Sequence, residues 1–99
     1  MSQIFKALAD PNRRRILELL RQRDMSAGEI AEHFTVSKPT LSKHFQILQH
    51  ADLIQGERNG TTITYSLNLS VLEEAIAGFM NLFSKNSERN SSWKSKTRK

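Results

Sequence analysis

Residues 26–53, SAGEIAEHFTVSKPTLSKHFQILQHADL, constrain the fold of this chain more than any other stretch, because they encode two short helices on either side of a tight turn. Ser26 followed three residues later by Glu29 is a capping-box start. Ile30, Ala31 and Phe34 then supply one apolar face. Thr35 and Val36 make the turn, and Ser37 with Pro39 just inside it starts a second helix. Leu41, Phe45 and Leu48 recur in that helix at i, i+4 and i+7, the spacing of a buried stripe. Lys38, Ser42, Lys43, Gln46 and Gln49 point elsewhere. A helix buried on one side and carrying Lys, Ser, Thr and Gln on the other suits a DNA major groove, where such side chains meet phosphates and base edges. The pattern is a helix-turn-helix.

Ninety-nine residues allow one domain, and a chain this short buries only about 60–65% of its unfolded surface. The core is therefore thin, and support from a second subunit fits the size. No apolar run approaches the ~20 residues of a membrane span. The start, MSQIFKALAD, lacks the basic-then-apolar order of a signal peptide, which predicts a cytoplasmic protein. The chain has no cysteine, so disulfides, thiolate metal sites and thiol redox sensing are excluded. Of its fifteen bases and ten acids, six bases and one acid fall in residues 85–99, leaving nine of each in residues 1–84. The folded body is thus neutral overall, and a DNA-binding argument must rest on which face carries Lys38, Lys43 and Arg58.

The flanks of the central motif are also readable. Residues 2–9 form a short helix with Ile4, Phe5 and Leu8 on one side, too short to stand without docking. Asp10-Pro11 caps and starts a helix to about Arg21, with Ile16, Leu17, Leu19 and Leu20 inward. Gln22 to Met25 connect it to the central motif. Asp52 occupies the position past the helix end where a left-handed residue, usually Gly, is expected. Asn59-Gly60 between two alternating β-prone stretches predicts a hairpin, with Ile63, Tyr65 and Leu67 on its inner face and Thr62, Thr64 and Ser66 outside. A last helix, capped by Asn68 or Ser70, is expected from about Val71 to Ser84, with Leu72, Ile76, Phe79, Met80 and Phe83 on one face and Val71, Ala75 and Leu82 widening it. That apolar surplus, shared with the first helix, points to a dimer interface rather than to core packing alone. Residues 85–99 lack periodicity and are expected to be a disordered basic tail. Its chemistry fits a solvated tail, or nonspecific contact with DNA or a partner. The expected fold is mainly α with a two-stranded β-hairpin wing, in one domain over residues 1–84.

Three segments, in order, carry a resemblance to the ArsR/SmtB family of bacterial repressors over about residues 3–83. Ala7-Leu8-Ala9-Asp10-Pro11-Asn12-Arg13-Arg14-Arg15-Ile16-Leu17 resembles the family's opening signature. Ser37 to Ile54 resembles its recognition helix, and Arg58-Asn59-Gly60 through Tyr65 its wing. The resemblance implies a winged helix-turn-helix homodimer, built from its first and last helices, that represses by binding an inverted repeat in double-stranded DNA. By position it implies DNA contacts from Lys38, Pro39, Thr40, Ser42 and Lys43, with Arg58 and its hairpin neighbours at the backbone or minor groove. Phe45 stands where the family usually has Leu, and Asp52 where it usually has Gly. The family's metal-binding members carry Cys on the helix that here spans Ala27–Phe34, or Asp and His on the last helix, where this chain has Glu73 and Glu74 and no histidine. The likeness is therefore to members without a metal or other cofactor, including autorepressors controlled by sequestration by a membrane partner.

The candidate DNA-binding residues are Ser37, Lys38, Pro39, Thr40, Ser42, Lys43, Gln46, Arg58, Asn59 and Thr61. The candidate dimer residues are Ile4, Phe5, Leu8, Leu72, Ile76, Phe79, Met80 and Phe83. For Lys38 and Lys43 the plainer role is a solvated surface lysine, and for Arg58 a charge that guards a hairpin edge. Arg13, Arg14 and Arg15 cannot all face one partner on a helix turning 100° per residue. Ion pairing with Glu18 and Asp10, plus one phosphate contact, is expected of them. Glu29 and His33 at i, i+4 make at most half a metal site, while His44 and His50 share no face, so packing or hydrogen-bonding roles are expected, with a phosphate contact open to His44. No paired carboxylates, nucleophile–base set or phosphate-cradling glycine loop suggests an enzyme. Two rival readings stay open: a sensor binding a metal or small-molecule inducer between the terminal helices, and a winged helix used for protein contacts only.

Overall fold

The computed structural model describes residues 2–87, with side chains for residues 3–83; the tail expectation for 85–99 lies almost wholly outside them. Five helices and three short strands follow in the order α1 (Ser2–Leu8), α2 (Pro11–Gln22), β1 (Met25–Ser26), α3 (Ala27–Ala31), α4 (Lys38–His50), β2 (Ile54–Asn59), β3 (Thr62–Leu67) and α5 (Leu69–Ser87).

Local chemistry sets most of the boundaries. Asp10 accepts from the backbone N–H of Asn12 at 2.7 Å and of Arg13 at 3.3 Å, so α2 starts where an N-cap followed by proline predicts. Partial burial works to raise the Asp10 carboxyl, but these two hydrogen bonds and the positive charge nearby outweigh it and hold it below its ordinary value. Ser26 and Glu29 form the reciprocal capping box, at 3.1 and 2.8 Å. The Ser26 N–H is the main cause that holds the Glu29 carboxyl below its usual range. At the end of α4 the Asp52 N–H donates to the Gln49 carbonyl at 2.9 Å and the Leu53 N–H to the Leu48 carbonyl at 3.0 Å, with Asp52 at φ 61°. This is a Schellman ending with an aspartate in the left-handed position. Asn68 Nδ2 supports it by donating to the Asp52 carbonyl at 2.8 Å.

The core is one cluster. Ile16, Ile30, Leu48 and Leu53 are fully buried, from α2, α3, α4 and the α4–β2 corner. Phe45 stacks on Tyr65 at a ring separation of 4.5 Å, fastening α4 to the sheet. Burial raises the Tyr65 phenol, and the Arg58 charge opposes that in part. Gly56 is required at this junction: a Cβ there would lie 2.9 Å from the Tyr65 ring and 3.2 Å from both Gln49 Nε2 and Ile63 Cγ2.

Several expectations change. Met25 is not connection but strand, pairing with Tyr65 while Ser26 pairs with Thr64, so the sheet has three antiparallel strands in the order β1-β3-β2. A two-residue strand has too little sequence to announce itself. Asn59 pairs with Thr62, which makes Gly60-Thr61 the turn rather than Asn59-Gly60. Gly60 has φ 67° and Thr61 has no positive φ, the sign pattern of a II′ turn with glycine first. Phe34 lies past the end of α3, half-buried against the core. Helix α5 begins two residues before Val71 and runs past Ser84 to Ser87. The Asn68 side chain does not cap it, being engaged with Asp52 and Gln55.

Candidate nucleic-acid interface

Leu41, His44, Phe45 and Leu48 are buried on one side of α4, and Lys38, Pro39, Thr40, Ser42, Lys43 and Gln46 are exposed. At 100° per residue the buried set spans about a third of the circumference, and the exposed set fills the opposite arc. The helix is thus held by its own chain on one side only, presenting two ammonium groups, two hydroxyls and an amide on the other. Ser37 is exposed, but its hydroxyl is engaged: it accepts from the Thr40 N–H at 3.3 Å and donates to Thr40 Oγ1 at 3.0 Å. Its part at the surface is to start the helix and orient Thr40.

His50 extends the outward row. It is exposed and lies four residues beyond Gln46 and seven beyond Lys43, on the same line as Pro39. The spacing from Lys43 and Gln46 is the sequence signal that marks it for this face. His44 goes the other way: only 7% exposed, it places Nδ1 3.2 Å from an Arg13 guanidinium nitrogen.

The hairpin supplies a second surface. Arg58, Asn59, Gly60 and Thr61 are all exposed, at the tip and on the free edge of the sheet. Arg58 sits opposite Ile63 in the ladder. Gln49, half-buried against Gly56, joins the base of this hairpin to α4.

The arginine run divides as helix geometry requires. Arg15 pairs with Glu18 at 3.1 Å on the surface, as expected. Arg14 instead donates to the Leu8 carbonyl at 2.7 Å, and Arg13 is buried. Neither makes an ion pair with Asp10.

The terminal helices carry the remaining feature. Phe5 packs edge-on against Phe79 at 5.7 Å, and Phe79 against Phe83 at 5.1 Å. Ile4, Leu8 and Leu72 rest partly on the core. Ile76, Phe79, Met80 and Phe83 remain 51, 44, 58 and 53% exposed on one side of α5. Contiguous exposed apolar side chains of this kind are characteristic of interaction surfaces. Among the described residues no group of three or more His, Asp or Glu is placed to hold a metal ion, and no helix is long and apolar enough to cross a membrane.

Comparison with known proteins matches this geometry. Residues 10–55 fit the model of the bacterial regulatory protein arsR family. The chain is 49% identical over 85 residues to the transcriptional repressor SdpR of Bacillus subtilis, covering 86% of this chain and 94% of that one. It is 40% identical over 73 residues to the arsenical resistance operon repressor of Staphylococcus xylosus, covering 74% and 70%. An ArsR-like transcriptional regulator from Rhodococcus superposes with a TM-score of 0.81 at 27% identity, over 94% of this chain and 85% of that one. The homodimeric winged helix-turn-helix DNA-binding domain Mb0332 from Mycobacterium bovis superposes with a TM-score of 0.67 at 25% identity, over 88% and 82%.

Proposed function

The chain belongs to the bacterial ArsR family of regulatory proteins, and from that premise we propose that it is a homodimeric, cytoplasmic repressor that binds an inverted-repeat operator in double-stranded DNA without a metal inducer. It is a transcriptional regulator, not an enzyme. The observation that carries the finer reading is the division of α4 into a buried stripe and an outward row of Lys38, Thr40, Ser42, Lys43 and Gln46. Each subunit lays that row in a major groove while Arg58, Asn59 and Thr61 of the hairpin reach the adjacent backbone or minor groove. Helices α1 and α5 of two copies close over one another, covering Phe5, Ile76, Phe79, Met80 and Phe83. Two recognition helices then enter successive major grooves about one helical turn apart (~34–36 Å). Bound there, the dimer blocks RNA polymerase. Residues 1–84 form the DNA-binding and dimerisation unit. Control by sequestration at a membrane draws no support from this geometry and rests on the family resemblance alone.

The test is fluorescence anisotropy with DNA from immediately upstream of the protein's own gene against scrambled DNA, at low and near-physiological salt. Preference for the upstream DNA by ~10³ or more at physiological salt is the expected result for a specific autorepressor. Equal binding that vanishes with salt, to this DNA and to a genomic fragment library alike, overturns operator recognition and leaves a winged helix for protein contacts.

A further inference from the structure

Arg13 is 9% exposed, and the hydrogen bonds of its side chain all reach other helices. Its Nε donates to the Ala7 carbonyl at 2.9 Å and one terminal nitrogen to the Lys6 carbonyl at 3.1 Å, satisfying the last turn of α1. Its other terminal nitrogen lies 3.2 Å from Nδ1 of His44, in the middle of α4. A guanidinium has donors only, so Nδ1 accepts and the ring proton of the neutral imidazole sits on Nε2. One buried side chain of α2 therefore ties the end of a proposed dimer helix to the recognition helix. Helix α1 has seven residues and cannot hold its own orientation. A planar fork bonded at three points fixes angle as well as distance, which apolar packing does less sharply.

We propose that Arg13 and His44 are positioning residues that set the distance and angle between the two recognition helices of the dimer, and with them the half-site spacing the protein accepts. The inference rests on the dimer and recognition-helix assignments above. Arg14 provides the control, because it also bonds an α1 carbonyl but is exposed and touches no residue of α4 in a hydrogen bond.

The absence of cysteine allows one spin label per subunit through Gln46→Cys, so that pulsed dipolar spectroscopy of the DNA-free dimer reads the separation of the two α4 helices directly. Arg13→Met and His44→Leu should broaden or shift that distance. His44→Asn, whose amide oxygen can take the place of Nδ1, should keep it narrow, and Arg14→Met should leave it as in the parent. On operators with one base pair inserted between half-sites, the parent should lose about tenfold in affinity and His44→Leu much less, with binding to a single half-site equal in both. An unchanged distance and unchanged spacing preference in His44→Leu overturns the proposal. So does equal loss in His44→Leu and His44→Asn, or loss of half-site and full-site binding together, since either marks simple destabilisation. No dipolar coupling in the labelled parent defeats the dimer assignment itself, which separates that failure from this one.

Discussion

Helices α4 and α5 are both amphipathic, but α5 is much the richer in apolar residues, and one is finished by its own chain while the other is not. In α4 the large apolar side chains at the buried spacing are covered, and apart from Pro39 what stays exposed is polar. Among the described side chains of α5 only Ala75 is buried, Val71 and Leu72 are partly so, and the row from Ile76 to Phe83 faces outward. A helix whose exposed side is polar reads a polar ligand; one whose exposed side is apolar waits for another apolar surface. On the proposed function, the same amphipathic pattern divides two tasks, DNA contact and self-association, within one chain.

Charge placed on the α5 strip separates the two tasks with the largest effect. Ile76→Glu with Met80→Glu should convert the dimer to monomer by light scattering. Operator affinity should fall about 10²–10⁴-fold, because the second half-site contact ceases to be intramolecular. A dimer that survives both changes would refute the division. On the α4 side, Leu48→Ala, at a fully buried position, should cost about 2–5 kcal/mol of unfolding free energy in a urea titration. Gly56→Ala should destabilise by about 1–3 kcal/mol, because the stacked Tyr65 ring cannot yield as a flexible tip would.

Lys38→Ala and Lys43→Ala should leave the fold and the dimer intact. Removing one ammonium–phosphate pair should lower the slope of log affinity against log salt by about 0.9, and an unchanged slope would return these lysines to ordinary surface. The smallest effect concerns the start of α2. Asp10→Ala should cost about 1 kcal/mol at neutral pH. The Asp10 carboxyl lies below its ordinary value of 3.8 in the folded chain, so its contribution is complete above that value and is lost as pH falls through the lower folded one. The gap in thermal midpoint between parent and variant should therefore close on acidification.

Much of this was legible because short-range chemistry decides it. The Asp10-Pro11 start, the Ser26/Glu29 box, the Ser37 cap and the Leu41/Phe45/Leu48 stripe each depend on residues a few positions apart, and each forms as read. The outward lysines follow from the stripe by periodicity alone. What escaped depended on distant partners. Met25 is a strand only because Tyr65 lies beside it, and the Arg13 guanidinium that meets His44 arrives from another helix. The hairpin turn moved by one residue because strand register, not the Asn-Gly pair, selects the closing pair. Asp52 is intermediate: its left-handed place was visible, but its support by Asn68 was not.

By itself the sequence determined the starts of α2, α3 and α4, the two-faced character of α4 and the apolar excess of α5, since caps and 3.6-residue periodicity act within a few residues. Tertiary structure alone decided where the Arg13 side chain goes. A guanidinium on α2 meets two carbonyls six and seven residues earlier and an imidazole thirty-one residues later, and no local rule of spacing brings those groups together until the helices have packed.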